Sequence, residues 1–452
     1  MSSNGGGAPE IKLPGLHTLE EWIGGANSSA GFFIPGWFFV ALYFVSIGFY
    51  NASFPLQSTL NFAMVLLLGT IWMPIVFGRF ALMRFIHMRR MTYISEQKTI
   101  VLEMRIPREV RKSPIAMESV FANLHIGPGE SSWFSRYIKG GVRPWHSFEL
   151  VSRGGEITFY IYTREFFRRA IETYFYSQYP EVEIIEAIDY SRLRNPSDPA
   201  YKMYACEYEH TNKAPYPIKT YVEFGLDKPG LKPEEQIDPF SQIVELFGAL
   251  KEGEELWMQI VIRTAKSERY RGKKKGKDKF KFKDEVKELV EELKKKRINE
   301  TGFSVATEME KREIEAIERN ATKLQFDVGI RAIYSAPSDH TSSLNPFVAL
   351  MWKPFSSELL NGIVPAGHFG SEKFSGYPWE DLGGVRHKAE MREAVEVYRL
   401  RSFFHPPFRS KWMTMSTEEL ATIFHIPSST VKTPNLPRIQ STTTSAPANL
   451  PQ

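Results

Sequence analysis

The chain has 452 residues, a formal net charge of +5, a pI near 8.9 and one cysteine. That length exceeds one ordinary hydrophobic core and predicts more than one domain. Mild overall basicity excludes a chain built mainly to coat nucleic acid, and lone Cys206 excludes an internal disulfide or a Cys-rich zinc site, as suits a reducing cytoplasm. The basicity is local: Lys266–Lys283 holds ten cations and two acids.

In chain order, residues 1–31 read as a cytoplasmic N-terminal segment in which Thr18-Leu19-Glu20-Glu21 has capping-box spacing before a short amphipathic helix. Phe32–Tyr50 and Leu60–Met83 are apolar runs long enough to cross about 30 Å of hydrocarbon. They predict a transmembrane hairpin over residues 32–90. The uncharged connection with Pro55 suits a tight turn at the far interface, and Arg79, Arg84, His87, Arg89, Arg90 and Lys98 mark the cytoplasmic side. The expected location is therefore the inner (cytoplasmic) membrane, two-pass, with both termini cytoplasmic and membrane lipids as partners.

From Thr99 the pattern becomes alternating strands and helices. "TIVLEMRIP" predicts a strand, and Ser113 before Pro114 caps a helix. "HSFELVS" and "EITFYIY" predict a hairpin about Gly154-Gly155. Thr163 is expected to cap the helix "REFFRRAIETYFYSQY", whose stripe would be Phe166, Ala170, Tyr174 and Ser177, before the strand "EVEIIEAID". This β-α-β-β-α-β order predicts a ferredoxin-like unit over residues 91–200. A second such unit is expected over 201–350: strand "YPIKTYVEFG", a helix capped by Asp238, strand "EELWMQIVIRTA", helix "KREIEAIERNATK" and strand "LQFDVGIRAIYSA". The fold class is thus α+β with duplicated units, the second interrupted by a charged insertion at 266–300. That insertion reads as a loop and a helix with almost no apolar stripe, protruding into solvent. Residues 351–426 read as helical or irregular and 427–452 as a Pro-rich tail.

Signs of catalysis are lacking in the sequence. "GKKKGKDK" has three residues between Gly272 and Gly276 and Asp278 where a phosphate loop needs a hydroxyl. The histidines lack zinc-helix spacing, and no G-x-S-x-G occurs. The expectation is a non-enzyme without metal or cofactor. Lys273, Lys274, Lys275, Lys277, Lys279, Lys281 and Lys283 form the one basic run; it reads as a solvated loop, an anionic-lipid contact or a nucleic-acid contact, with Phe280 and Phe282 interleaved.

The tail "MSTEELATIFHIPSSTVKTPNLPRI" imitates a helix-turn-helix, but Pro434 and Pro437 fall inside the would-be recognition helix at a cost of about 3 kcal/mol each. Ser416 and Glu419 form a capping box instead, and the following prolines hold the chain extended.

Ile100–His125, Trp145–Tyr190 and the tail from Phe403 to Ile439, behind the N-terminal apolar hairpin, resemble the accessory region of conjugative-transfer ATPases. These are type IV secretion-like, FtsK/HerA-type motors, especially the membrane-tethered kind of bacteria with very reduced genomes. In such proteins a segment like "APANLP" leads into the motor, and here the chain is expected to stop before it. The resemblance implies a membrane-anchored docking scaffold of a DNA or protein transfer machine, in an oligomeric assembly, recruiting a separately encoded motor ATPase. The expected docking residues are Glu418, Glu419, Phe424, Ile426 and Val431. The competing reading is a membrane-tethered adaptor that binds nucleic acid or anionic lipid through the lysine run.

Overall fold

The computed structural model describes residues 45, 48–49, 52–53, 78–107, 112–127, 132–196, 198–228, 238–266, 268–270, 279–296, 307–338, 344–366, 385–405, 408–427 and 438–439. The chain divides into two compact units at Arg89/Arg90. In the first, most of Phe32–Tyr50 and Leu60–Met83 lies outside the described residues, and residues 78–95 form a helix that continues past the boundary. Among the described residues no helix is long and apolar enough to cross a membrane, which corrects the expected two-pass hairpin and inner-membrane placement. The physical reason is visible in 78–95: Arg79, Arg84, Arg89 and Arg90 interrupt its apolar residues, and each such charge costs about 2.5–3.5 kcal/mol at mid-bilayer.

The second unit is built on one sheet. Its strands are β1 (Thr99–Pro107), β2 (His146–Arg153), β3 (Glu156–Arg164), β4 (Glu183–Ala187), β5 (Tyr201–His210) and β6 (Glu255–Thr264). After a separate hairpin of β7 (Glu268–Tyr270) and β8 (Lys279–Lys281) come β9 (Gln325–Pro337) and β10 (Ile363–Ala366). A second small hairpin joins β11 (Phe404–His405) to β12 (Phe408–Arg409), and β13 (Met413–Ser416) and β14 (Arg438–Ile439) follow. The sheet order is β10-β5-β9-β6-β2-β3-β1, with β4 beside β1 and β13 beside β9. All these pairs are antiparallel; β14 alone, among the described strands, adds in parallel beside Ile106 and Pro107.

Two separate ferredoxin-like units were the expectation, and the fused sheet corrects it. β2 and β6 pair from His146↔Ile262 to Arg153↔Glu255, so the half β4-β1-β3-β2 continues directly into β6-β9-β5-β10. Strand edges that would face water in two isolated sheets are satisfied by each other. The expected strand at Tyr216–Gly225 is irregular and passes into turns from Tyr221, and Tyr201–His210 takes the strand position instead. Its backbone donors explain the difference: Ile218 N–H donates to Glu419 and Tyr221 N–H to Thr422, so side chains of a later helix capture groups that a ladder would have used.

The helices are α1 (Pro114–Asn123), α2 (Trp133–Tyr137), α3 (Arg168–Gln178), α4 (Pro239–Gly248), α5 (Phe282–Lys296), α6 (Glu308–Thr322), α7 (Asn345–Ala349), α8 (Val385–Arg399) and α9 (Thr417–Ile423). Ser113 caps α1 with Pro114 at its first turn, and Asp238 caps α4 by accepting from Phe240 N–H, both as their sequences dictate. Thr163 does not cap α3: it ends inside β3, and a short 3-10 turn intervenes. The buried residues of α3 are Ile171 and Phe175, and Phe166 is 87% exposed, so the expected stripe is rotated by one residue.

One face of the sheet is apolar. Leu102, Phe148, Phe159, Met258, Ile260 and Ile330 share a core with Met117 and Phe121 of α1, Phe240 and Phe247 of α4, and Leu420 and Phe424 of α9. The other face alternates with it by the two-residue period of a strand, and carries Ser147, Glu149, Gln259, Arg263, Asp327 and Arg331, all buried. α8 and the segment after it close over these groups. At one point the cover touches backbone: a Cβ on Gly329 would lie 2.4 Å from the Phe403 ring, so only glycine lets that ring seat.

The insertion also departs from expectation. α5 buries Phe282, Val286, Leu289 and Val290, spaced by four, three and one, against Ile317 of α6. A helix this rich in charge still packs, because its 15 residues make about four turns and need only one apolar residue per turn on a single side.

Candidate functional site

The lysine run sits on a defined mount. β7 and β8 pair with Glu268↔Lys281, Arg269↔Phe280 and Tyr270↔Lys279, which brings Tyr270 and Lys279 opposite one another at the two ends of residues 271–278. Lys273, Lys274, Lys275 and Lys277 lie outside the described residues, Lys279 and Lys281 belong to β8, and Lys283 is exposed in the first turn of α5. The hairpin leaves the body at the end of β6 and returns into α5, which is fixed on α6 by the apolar contacts above. A capping box on Thr307 and Glu310 starts α6.

A second concentration of charge is wholly internal. Arg401 follows α8 by two residues and has φ 48°, the left-handed position that usually takes glycine; Ser402 N–H donates back to Val397 O and Arg401 N–H to Tyr398 O, closing the helix end. The side chain repays that strain. Arg401 Nε and Nη2 donate to the two oxygens of Glu149 at 3.0 Å each, and Nη1 and Nη2 donate to Asp189 at 2.6 and 3.1 Å. The guanidinium also lies over the Tyr162 ring, 4.6 Å from its centroid.

Glu149 accepts further bonds from Ser147 Oγ (2.7 Å), Tyr190 Oη (2.8 Å) and Gln259 Nε2 (3.0 Å), and Tyr190 and Tyr398 share a hydroxyl contact of 2.7 Å. Burial alone would pull the Arg401 guanidinium down, but Glu149 and Asp189 hold it well above its usual value; burial and then Glu149 push both tyrosines up. Beside it Arg331 reaches Glu207 at 3.2 Å, and Arg263 and Arg143 converge on Asp327 Oδ2 at 2.9 and 3.2 Å. Four arginines and four carboxylates thus offset one another beneath α8 and the segment after it. Among the described residues no group of three or more His, Cys, Asp or Glu could hold a metal ion.

Sequence reading missed this network. The alternation in "HSFELVS" put Ser147 and Glu149 on one face, which signals a polar side to the sheet. Arg401, 252 residues away, could not be paired with it from spacing.

The expected tail residues are also internal. Glu418, Glu419, Phe424 and Ile426 are buried, and Val431 lies outside the described residues. The Ser416–Glu419 capping box forms as read, and Glu419 additionally accepts from Ile218 N–H at 3.0 Å. Burial pushes the Glu419 carboxyl up to about 7. Glu418 meets Thr220 Oγ1 at 2.6 Å and Arg319 Nε at 3.2 Å. His425 is held between Ala421 O and Asp238 Oδ2, both at 2.9 Å, while the other Asp238 oxygen caps α4.

Fold and site together define an α+β protein with one fused antiparallel sheet, an apolar face under helices and a polar face sealed by α8. Residues 102–438, more than half of the chain, match the family described as Domain of unknown function (DUF8128), and the chain belongs to that family. No curated protein matches it.

Proposed function

We propose that the protein is a non-enzymatic docking scaffold that engages nucleic acid through the basic β7–β8 hairpin. The observation that carries the reading is the β7–β8 ladder, which makes the lysine run the connection of a hairpin rooted in a packed body. A rooted basic loop meets phosphates at less entropic cost than a free tail. Glu418, Glu419, Phe424 and Ile426 are taken up inside the fold, so recruitment of a motor ATPase through them is not part of the reading.

The test is binding of a fluorescein-labelled oligothymidylate to the full chain across a salt series. Substituting Lys273, Lys274, Lys275, Lys277, Lys279, Lys281 and Lys283 by Gln is expected to weaken binding and to flatten the salt slope by about 0.7 for each lysine that sits on a phosphate. An unchanged slope would sink the proposal; binding to phosphatidylserine vesicles but not to the oligonucleotide would replace it with a lipid contact.

A further inference from the structure

We infer that the segment Ser132–Trp145 is a second contact for the same strand, a stacking platform for the bases of single-stranded nucleic acid. This rests on the nucleic-acid reading above and adds a contact the lysine run cannot supply. Trp133 and Phe134 are 68% and 53% exposed on adjacent positions, which is unlike the scattered single apolar residues of an ordinary surface. Lys139, also exposed, lies over the Phe134 ring, 5.9 Å from its centroid. Residues 131–145 contain no acid, and of their cations Lys139 is exposed, Arg136 half-buried and Arg143 buried against Asp327.

The backbone of the segment is held by its own hydrogen bonds. Ser132 caps α2 by accepting from Ser135 N–H at 3.1 Å, and Trp133 leans on Tyr137 with centroids 5.9 Å apart. Gly140 turns the chain with φ 72°, and Gly141 N–H donates to Ser135 O at 2.8 Å in a space where a Cβ would come within 2.9 Å of Ser135 Oγ.

Its position ties it to the hairpin. Arg143 Nη1 donates to Thr264 O at 2.6 Å. Lys139 precedes Arg143 by four residues and β7 begins four residues after Thr264, so the chain segments that lead to the two contacts meet at the end of β6. Cations paired with exposed π faces suit a polyanion that carries flat rings, and every base offers such a face whatever its sequence. A lipid surface is the poorer fit, because the aliphatic neighbour Val142 is buried and the exposed large apolar side chains of the segment, Trp133 and Phe134, are aromatic.

The same oligothymidylate titration tests the platform, using Trp133→Ala/Phe134→Ala and Lys139→Gln in the full chain. The paired aromatic variant is expected to lose about tenfold or more in affinity with its salt slope unchanged, while Lys139→Gln lowers the slope by about 0.7. Both sites are exposed, so a matching melting curve confirms an intact fold. Wild-type affinity in the aromatic variant overturns the platform, and if the hairpin glutamines still abolish binding, the hairpin reading survives it. Loss confined to the aromatic variant leaves the platform standing and removes the hairpin. Absence of binding by the wild-type chain, or binding to phosphatidylserine vesicles alone, overturns both.

Discussion

The polar face under α8 and the α5–α6 hairpin are both dense in charged residues, yet they use charge in opposite ways. Arg401 and Glu149 have fully buried side chains joined by two parallel bonds, whereas Lys294 and Glu318 on the hairpin are 4.0 Å apart and more than half exposed. The first pair was taken out of water at a cost that only complete bonding offsets, and losing one partner strands the other. The second pair keeps its hydration and contributes little. A charged residue in this sequence therefore says nothing about its energetic role until its surroundings are known.

The sharpest way to break the comparison is Arg401→Ala. It leaves Glu149 buried against Ser147, Tyr190 and Gln259 without its cation, and is expected to cost about 3–5 kcal/mol in urea unfolding. Arg401→Gly sharpens it: glycine accepts φ 48° freely, so that variant should be less destabilised than the alanine one by about 1 kcal/mol. If the two were equal, the positive φ would carry no strain.

Next in size is Gly329→Ala, which drives a methyl into the Phe403 ring and is expected to cost about 1–3 kcal/mol by thermal melting.

Stability should also depend on pH through the α9 segment. Burial raises Glu419 from 4.5 to about 7, so the folded state holds its proton more tightly and stability falls as pH rises through that window. For His425 burial works downward, but Asp238 and the Ala421 carbonyl hold it above 6.5; its contribution is present below 6.5 and is lost as pH rises through the folded value. His146 opposes them: burial lowers it to about 4, so its contribution is present above 6.5 and is lost as pH falls toward 4. Against the Glu419→Gln variant, the wild-type urea midpoint should fall as pH rises from 4.5 to about 7 and keep a constant offset above that; a constant offset over the whole range would clear Glu419 of the pH dependence.

The smallest effect is expected at Lys294→Gln, no more than about 0.5 kcal/mol in the same urea titration. A cost rivalling that of Arg401→Ala would erase the contrast between the two regions.

Local signals were legible where the chain answers to its immediate neighbours. The caps at Ser113, Asp238 and Ser416, the Gly154-Gly155 hairpin and most strands follow from bonds spanning a few residues. The apolar stripe of α5 was equally present, as Phe282, Val286, Leu289 and Val290, but the lysines and glutamates around it masked its period. The lysine run was plain from composition.

Tertiary structure alone decided the rest. That β2 pairs with β6 makes one sheet of two halves, and strand pairing across a hundred residues leaves no trace in local pattern. That Tyr201–His210 is a strand and Tyr216–Gly225 is not depends on donors captured by α9, some two hundred residues on. Arg401 acquires its meaning from Glu149 and Asp189, 252 and 212 residues away. Sequence by itself determined periods, caps and charge runs, because those follow from neighbours a turn or a pleat away. Which charges are buried and which edges meet was decided by long-range packing, because desolvation and strand pairing belong to the folded neighbourhood rather than to the residue.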